Sequence, residues 1–223
     1  MQLLDVSGPL QVFASANDLA LSQGLALPYA PRVIAAQAGP VLSSAGLAML
    51  AEPLPAPGTP CDSLIIAGGW GTYAAAEDPQ LVEWVRQQAA CARRVASVCT
   101  GAFLLAASGW LDGRRVATHW TRCEQLAERY PQLQVEPNPI FINDGPVWTS
   151  AGVTAGIDLS GGRWPWRSPG TWWCFSSARV DSRSSALRCH CRRAPAVSAI
   201  CMPGSPSIWP WICRSRCWPS RWA

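Results

Sequence analysis

One cysteine of this chain lies where a sharp turn could present it for nucleophilic chemistry. Cys99 follows the apolar run Val95–Val98, precedes a helix predicted over Gly101–Ser108, and has small neighbours. A cysteine on a tight turn from strand to helix has the geometry of a nucleophile elbow. Because a helix N-terminus favours the thiolate, we expect it to lower the pKa of Cys99. The alternative is a small buried cysteine that only fills the turn.

Backbone amides near this turn would complete such a site. The N–H of Thr100, together with one from Gly69 or Trp70, is placed by the sequence to form an oxyanion hole. Gly68 and Gly69 end another apolar run, and sites in doubly wound sheets lie at the carboxyl ends of strands. We therefore predict that Gly68, Gly69, Trp70 and Thr100 bind the ligand beside Cys99.

The elements that must position these residues alternate between strand and helix. Ser63–Ala67 is a continuous apolar run, which is typical of a buried parallel strand. Helical spacing of apolar residues predicts a helix over residues 9–21, and Asp78 before a proline predicts the start of another. Residues 140–149 have the pattern of a hairpin. This alternation predicts an α/β fold with a doubly wound, mostly parallel sheet.

Five stretches of the sequence have motifs that occur together in one known family. These stretches are Leu3–Phe13, Ser97–Ala106, Gly109–Arg115, Ala117–Trp120 and Val147–Leu159. They resemble the ThiJ/PfpI superfamily, which is class I glutamine amidotransferase-like, and within it the sensor half of GlxA-like regulators of the AraC family. The similarity extends over about residues 2–159.

The resemblance implies a flavodoxin-like fold, usually a homodimer, and roles for two further residues. Asp5 matches the acidic residue that faces the cysteine in the isocyanide hydratase branch; the alternative is an acid at a helix start. His119 matches the second conserved polar position, twenty residues after Cys99. The alternative for His119 is a hydrogen-bonded histidine at the end of a strand.

Two functions fit this resemblance. The first is a ligand-sensing domain of an AraC-family transcription regulator, which binds an unidentified small molecule without turnover. The second is a cysteine-dependent lyase of the isocyanide hydratase type, with Cys99 as nucleophile and Asp5 as acid and base. Thr100 stands where the protease-like branch has a histidine, so peptidase activity is not expected. The regulator-like segment Trp148–Gly152 favours the sensing domain.

Composition changes sharply after residue 160. Residues 1–160 contain eight Arg and thirteen acidic residues, whereas residues 161–223 contain ten Arg and one acidic residue. The second part has no Glu, Gln or Lys and a single Leu, although ordinary domains are rich in Leu and Glu. We therefore predict a ThiJ/PfpI-like domain at residues 1–159 and a disordered or aberrant tail at residues 160–223.

A shifted reading frame accounts for this tail. Read in one other phase, its Trp-rich stretches continue the family sequence toward a helix-turn-helix, so we expect a frameshifted product that has lost its DNA-binding domain. DNA binding is then expected only in the intact in-frame parent. The alternative is a genuine basic tail that holds nucleic acid through Arg and Trp. The domain is also expected to lack the first strand of its family.

No cofactor and no metal are expected. Cys189, His190, Cys191 and Cys201 have zinc-like spacing, but they lie in the aberrant tail. The sequence opens without a basic, apolar leader, and no apolar run reaches the ~18 residues of a membrane span. These observations predict a cytoplasmic protein that does not contact a membrane.

Overall fold

The computed structural model describes residues 1–161 and, as backbone alone, the strand at residues 170–176. The helices of this part are Leu3–Ser22 (α1), Gly71–Ala75 (α2), Pro79–Cys91 (α3), Gly101–Ala107 (α4), Cys123–Arg129 (α5) and Ala155–Gly161 (α6), with a 3-10 turn at Trp120–Arg122. The strands are Tyr29–Ala35 (β1), Gly39–Leu42 (β2), Ala48–Pro53 (β3), Cys61–Ile66 (β4), Ala92–Val98 (β5), Arg115–Val116 (β6), Gln134–Val135 (β7), Phe141–Asp144 (β8), Val147–Ser150 (β9) and Gly170–Ser176 (β10). Within these residues, no helix has the length and apolar character needed to cross a membrane.

Eight strands form one sheet in the order β2, β3, β1, β10, β4, β5, β9, β8. All pairs from β3 to β9 are parallel, and the two outer pairs are antiparallel. The outer pair β8 and β9 is the predicted hairpin. The predicted α/β fold with a mostly parallel sheet is therefore confirmed, and the carboxyl ends of β4 and β5 lie side by side.

Helices cover both faces of this sheet. On one face, Phe103 of α4 and Trp84 of α3 pack in a cluster that includes Leu64 of β4. On the other face, Phe13 of α1 packs in a cluster that includes Ile65 of β4. Because successive residues of a strand point to opposite faces, the apolar run of β4 is buried from both sides. This arrangement is the doubly wound layering that the sequence predicts.

The central position of the sheet is occupied by β10. In the flavodoxin-like order 2-1-3-4-5, strand 1 precedes the first helix in the chain and lies between strands 2 and 3 of the sheet. In this chain β1 and β4 take the places of strands 2 and 3, so β10 lies where strand 1 would be. Here β10 pairs in parallel with both neighbours, and its aromatic-rich sequence suits a strand. This strand lies beyond the domain boundary predicted at residue 159. Residues 162–169 and 177–223 are outside the described residues, so the shifted frame and the expectation that the zinc-like cysteines bind no metal stay predictions.

Helix α1 begins six residues earlier than the predicted start at residue 9. It starts at Leu3, and Pro9 lies inside it. A proline there removes one backbone hydrogen bond, which would be made to the carbonyl four residues earlier. Burial of Val6 and Phe13 against the sheet offsets that loss. The earlier start places Asp5 in the first turn of the helix, close to the ends of β4 and β5.

Candidate functional site

Cys99 occupies the turn between β5 and α4 in the left-handed backbone region, with φ of 57°. A non-glycine residue rarely adopts this conformation, which costs on the order of 1–3 kcal/mol. Two hydrogen bonds hold the turn. The N–H of Cys99 donates to the carbonyl of Ser150 at 3.0 Å, and the carbonyl of Cys99 accepts from the Thr118 hydroxyl at 2.9 Å. The predicted nucleophile elbow is therefore confirmed.

Two glycines allow the backbone to pass close to this turn. A Cβ on Gly101 would lie 2.1 Å from the carbonyl oxygen of Ile66 in β4. A Cβ on Gly68 would lie 2.7 Å from Asp5 Oδ2 and 2.7 Å from the Thr100 nitrogen. Neither position has room for a side chain, so the elbow depends on glycine at both.

Asp5 lies beneath the elbow and is completely buried. Its Oδ2 accepts a hydrogen bond from the Gly68 N–H at 3.0 Å, and its carboxyl group is hydrogen-bonded to the thiol of Cys99. Its Oδ1 has no hydrogen-bond partner among the described residues. Burial raises the pKa of Asp5 to about 7, although the hydrogen bonds from Gly68 and Cys99 act in the opposite direction.

The structure contradicts the prediction of a lowered pKa for Cys99. Burial of the thiol and the charge of Asp5 raise its pKa to about 12, and this outweighs hydrogen bonds from the amide and hydroxyl of Thr100. The start of α4 lowers the pKa of Cys99 through the N–H of Thr100. Burial has the larger effect on this pKa, because the thiol is almost fully removed from water. Above pH 7, the pair carries its negative charge on Asp5 rather than on sulfur.

A cavity of ≈ 260 Å³ opens over this pair. Its volume lies below the range of about 300–1,000 Å³ that is usual for sites of drug-sized ligands, so it suits a small molecule. The wall combines aromatic, polar and small residues. It is formed by Gln2, Gly69, Trp70, Tyr73, Cys99, Thr100, His119, Thr121, Arg122 and Val153.

His119 lines the same cavity but bonds elsewhere. Its Nδ1 lies 2.8 Å from the Thr121 hydroxyl and accepts from the Thr121 N–H at 3.3 Å. Its ring stacks on Trp120 with centroids 5.4 Å apart. His119 therefore lines the cavity, and its hydrogen bonds cap the start of the 3-10 turn at Trp120–Arg122. A catalytic role for His119 stays a prediction.

Two of the amides predicted to bind the ligand already have acceptors inside the site. The Gly68 N–H donates to Asp5, and the Gly69 N–H donates to Thr100 Oγ1 at 2.8 Å. A ligand oxygen would have to compete with these acceptors. Trp70 stays a candidate donor at the cavity, whereas the Thr100 amide, which also lines it, already interacts with the Cys99 thiol.

A scan against protein-family models matches residues 1–161 to the DJ-1/PfpI family. The chain belongs to the DJ-1/PfpI family. The resemblance to ThiJ/PfpI proteins in the sequence is thereby confirmed, and the cavity over Cys99 is a feature of this DJ-1/PfpI domain.

Among known relatives, two kinds of protein share this DJ-1/PfpI domain. Isonitrile hydratase of Pseudomonas putida is 35% identical over 161 residues, which are 72% of this chain and 64% of that protein. The HTH-type transcriptional regulator CdhR of Pseudomonas aeruginosa is 38% identical over 131 residues, 59% of this chain and 38% of the regulator. The chain thus spans less than two thirds of either relative.

A solved structure adds to the fold assignment. An AraC family transcriptional regulator from Pseudomonas putida superimposes with a TM-score of 0.57 and 21% sequence identity, covering 72% of this chain and 83% of that one. At this identity the likeness shows the fold alone. A shared fold does not determine function, which depends on the residues of the site.

Sequence reasoning missed several residues of the DJ-1/PfpI site. Thr118, which fixes the carbonyl of Cys99, stands directly before the predicted His119, but nothing in the sequence distinguished its hydroxyl. Tyr73 and Arg122 reach the cavity from α2 and from the 3-10 turn. Their distance from Cys99 along the chain hid them, because only the packing of these elements brings them to one wall.

Proposed function

We propose that the DJ-1/PfpI domain of this chain is the small-molecule sensor of a transcription regulator, with its ligand in the cavity over Cys99. The observation that carries this proposal is a formed cavity over Cys99, whose thiol is kept protonated by its burial and by the charge of Asp5 beneath it. The regulator CdhR, at 38% identity, supports it. The homodimer implied by the resemblance, and DNA binding in an in-frame parent, stay predictions.

The state of the thiol favours binding over turnover. The thiolate is the nucleophilic form of cysteine, and a pKa of about 12 leaves little of it at neutral pH. The Gly69 amide, which could stabilise an oxyanion, is already bonded to Thr100. A ligand can therefore occupy the cavity without meeting a nucleophile that is ready to react.

A second candidate function is hydration of isonitriles. The contact between Cys99 and Asp5 favours it, and so does the relative named isonitrile hydratase. In that reaction the Cys99 sulfur would bond to the isonitrile carbon, and Asp5 would pass the thiol proton to the same carbon, giving a thioimidate. Water would then attack this carbon and release the thiol, so that isonitrile and water give an N-substituted formamide.

An assay with cyclohexyl isonitrile separates the two functions. Proton NMR follows formation of N-cyclohexylformamide by the full chain at pH 8, with Cys99→Ser as the matched variant. The Pseudomonas putida hydratase serves as the positive control. We expect the chain to form no more formamide than Cys99→Ser, because its thiol is held protonated. Formamide that requires Cys99 would replace the sensor with the hydratase.

A further inference from the structure

Arg122 differs from the other arginines of the described domain in lacking a carboxylate partner. Residues 1–161 contain eight arginines, and seven of them form ion pairs with Asp or Glu within the described part of the chain. The eighth, Arg122, lies on the wall of the Cys99 cavity. Its positive charge is therefore the one that an anionic ligand could neutralise there.

Neutral groups hold the Arg122 guanidinium at the cavity. Its central carbon lies 5.6 Å from the centroid of the Trp70 ring, and its Nη1 lies 3.4 Å from Gln125 Oε1. Stacking on an aromatic face orients the planar guanidinium without neutralising it. Trp70 itself is 75% exposed, so this stacked pair lies at the mouth of the cavity.

The rest of the lining does not repel an anion. Among the described residues, none of the ten that line the cavity is acidic, and the nearby Asp5 lies beneath Cys99 rather than on the wall. Thr121 and Tyr73 add hydroxyl groups, while Val153 adds an apolar patch. A guanidinium has a planar fork of donors that fits both oxygens of a carboxylate.

Resting on the proposed function, we infer that the ligand of the Cys99 cavity is a small monocarboxylate anion, whose carboxylate pairs with Arg122. One positive charge on the wall matches one negative charge on the ligand. The small volume of the cavity limits the rest of the molecule to a short body that packs against Trp70 and Val153.

Calorimetric titration of the full chain with butyrate at pH 6.5 tests this inference. Butyramide has nearly the same shape as butyrate without the charge, butylamine carries the opposite charge, and inorganic phosphate tests for general anion binding. We expect butyrate to bind and the two uncharged or cationic analogues not to bind. Arg122→Gln should weaken butyrate binding roughly 10- to 100-fold, as expected for a hydrogen-bonded charge pair. Arg122→Lys keeps the charge but loses the planar fork of donors. Its affinity for butyrate should therefore lie between those of the unmodified chain and Arg122→Gln.

Arg86→Gln is the matched control, because Arg86 is an exposed arginine paired with Glu83 on α3. It should bind butyrate as the unmodified chain does, and thermal melting without ligand checks that each variant folds. Equal butyrate affinity in Arg122→Gln, no butyrate binding by the unmodified chain, or preference for phosphate overturns the carboxylate assignment. Tight binding of butyramide or butylamine also overturns it while leaving the sensor intact. The proposed sensor function is overturned only if the isonitrile assay finds turnover that requires Cys99.

Discussion

Gly101→Ala is expected to destabilise the protein by more than about 3 kcal/mol, a large part of the roughly 5–15 kcal/mol by which a typical domain is stable. The added methyl carbon would lie 2.1 Å from the carbonyl oxygen of Ile66. This oxygen belongs to the backbone of β4, whose side chains Leu64, Ile65 and Ile66 are completely or almost completely buried. Neither β4 nor the start of α4 can move without opening the core on both faces of the sheet.

Gly152→Ala is the matched control for this substitution. No atom of the described part of the chain lies within 4 Å of a Cβ built on Gly152, and its φ is not in the left-handed region. We expect a change within about 0.5 kcal/mol, as for other surface substitutions. Urea unfolding followed by far-ultraviolet circular dichroism measures both variants. A Gly101→Ala protein as stable as Gly152→Ala would show that the elbow does not have this close approach.

Asp5→Asn is expected to remove an unusual pH dependence of stability. The pKa of Asp5 rises from 3.8 to about 7 on folding, so the folded state binds this proton more tightly than the unfolded state. The stabilisation is complete in acid, is lost as the pH rises from about 4 to about 7, and is constant above that. Three pKa units correspond to a loss on the order of 4 kcal/mol.

The measurement compares the free energy of unfolding at pH 4.5 and pH 7 in the unmodified chain and in Asp5→Asn. Other carboxyl groups, such as Asp62, have lowered pKa values and give the opposite slope, so the difference between the two proteins isolates Asp5. Asp18→Asn changes an exposed acid on the same helix and should keep the slope of the unmodified chain. Parallel curves for the unmodified chain and Asp5→Asn would mean that Asp5 titrates normally.

Local patterns in the sequence were enough to predict the elbow. The apolar runs before Gly68 and Cys99 are buried parallel strands, and small residues around Cys99 allow the sharp turn. The hairpin of β8 and β9 also follows from its turn residues. These features depend on residues that are near one another in the chain, which is why periodicity and turn chemistry reveal them.

Features that depend on distant contacts were not predictable in this way. The start of α1 was predicted too late, because the helical spacing of apolar residues from residue 9 onward carries no information about the burial of Val6 against the sheet. The pKa of Cys99 was predicted in the wrong direction, since a helix N-terminus is visible in sequence whereas burial beside Asp5 is not. The position of β10 between β1 and β4 likewise follows only from the assembled sheet.

The ligand wall shows the same limit. Nothing near Arg122 in the sequence distinguishes it from the other arginines of the domain. It differs from them because they form ion pairs in the fold, whereas Arg122 has no carboxylate partner among the described residues. Its stacking on Trp70 joins residues that are 52 positions apart. The charges around a cavity depend on which distant residues the fold brings together. Cys99, in contrast, could be identified from its neighbours in the sequence.

The most direct test of a reversible carboxylate site over Cys99 is an NMR titration of the 15N-labelled full chain with butyrate. We expect saturable, reversible shifts of the Gly69 and Thr100 amides and of the Arg122 side-chain N–H, which line the cavity. Amides of the groove between α1 and α6, near Leu4 and Ile157, should stay unchanged. Shifts confined to that groove, or no shifts at the cavity at high butyrate concentration, would contradict a carboxylate site over Cys99.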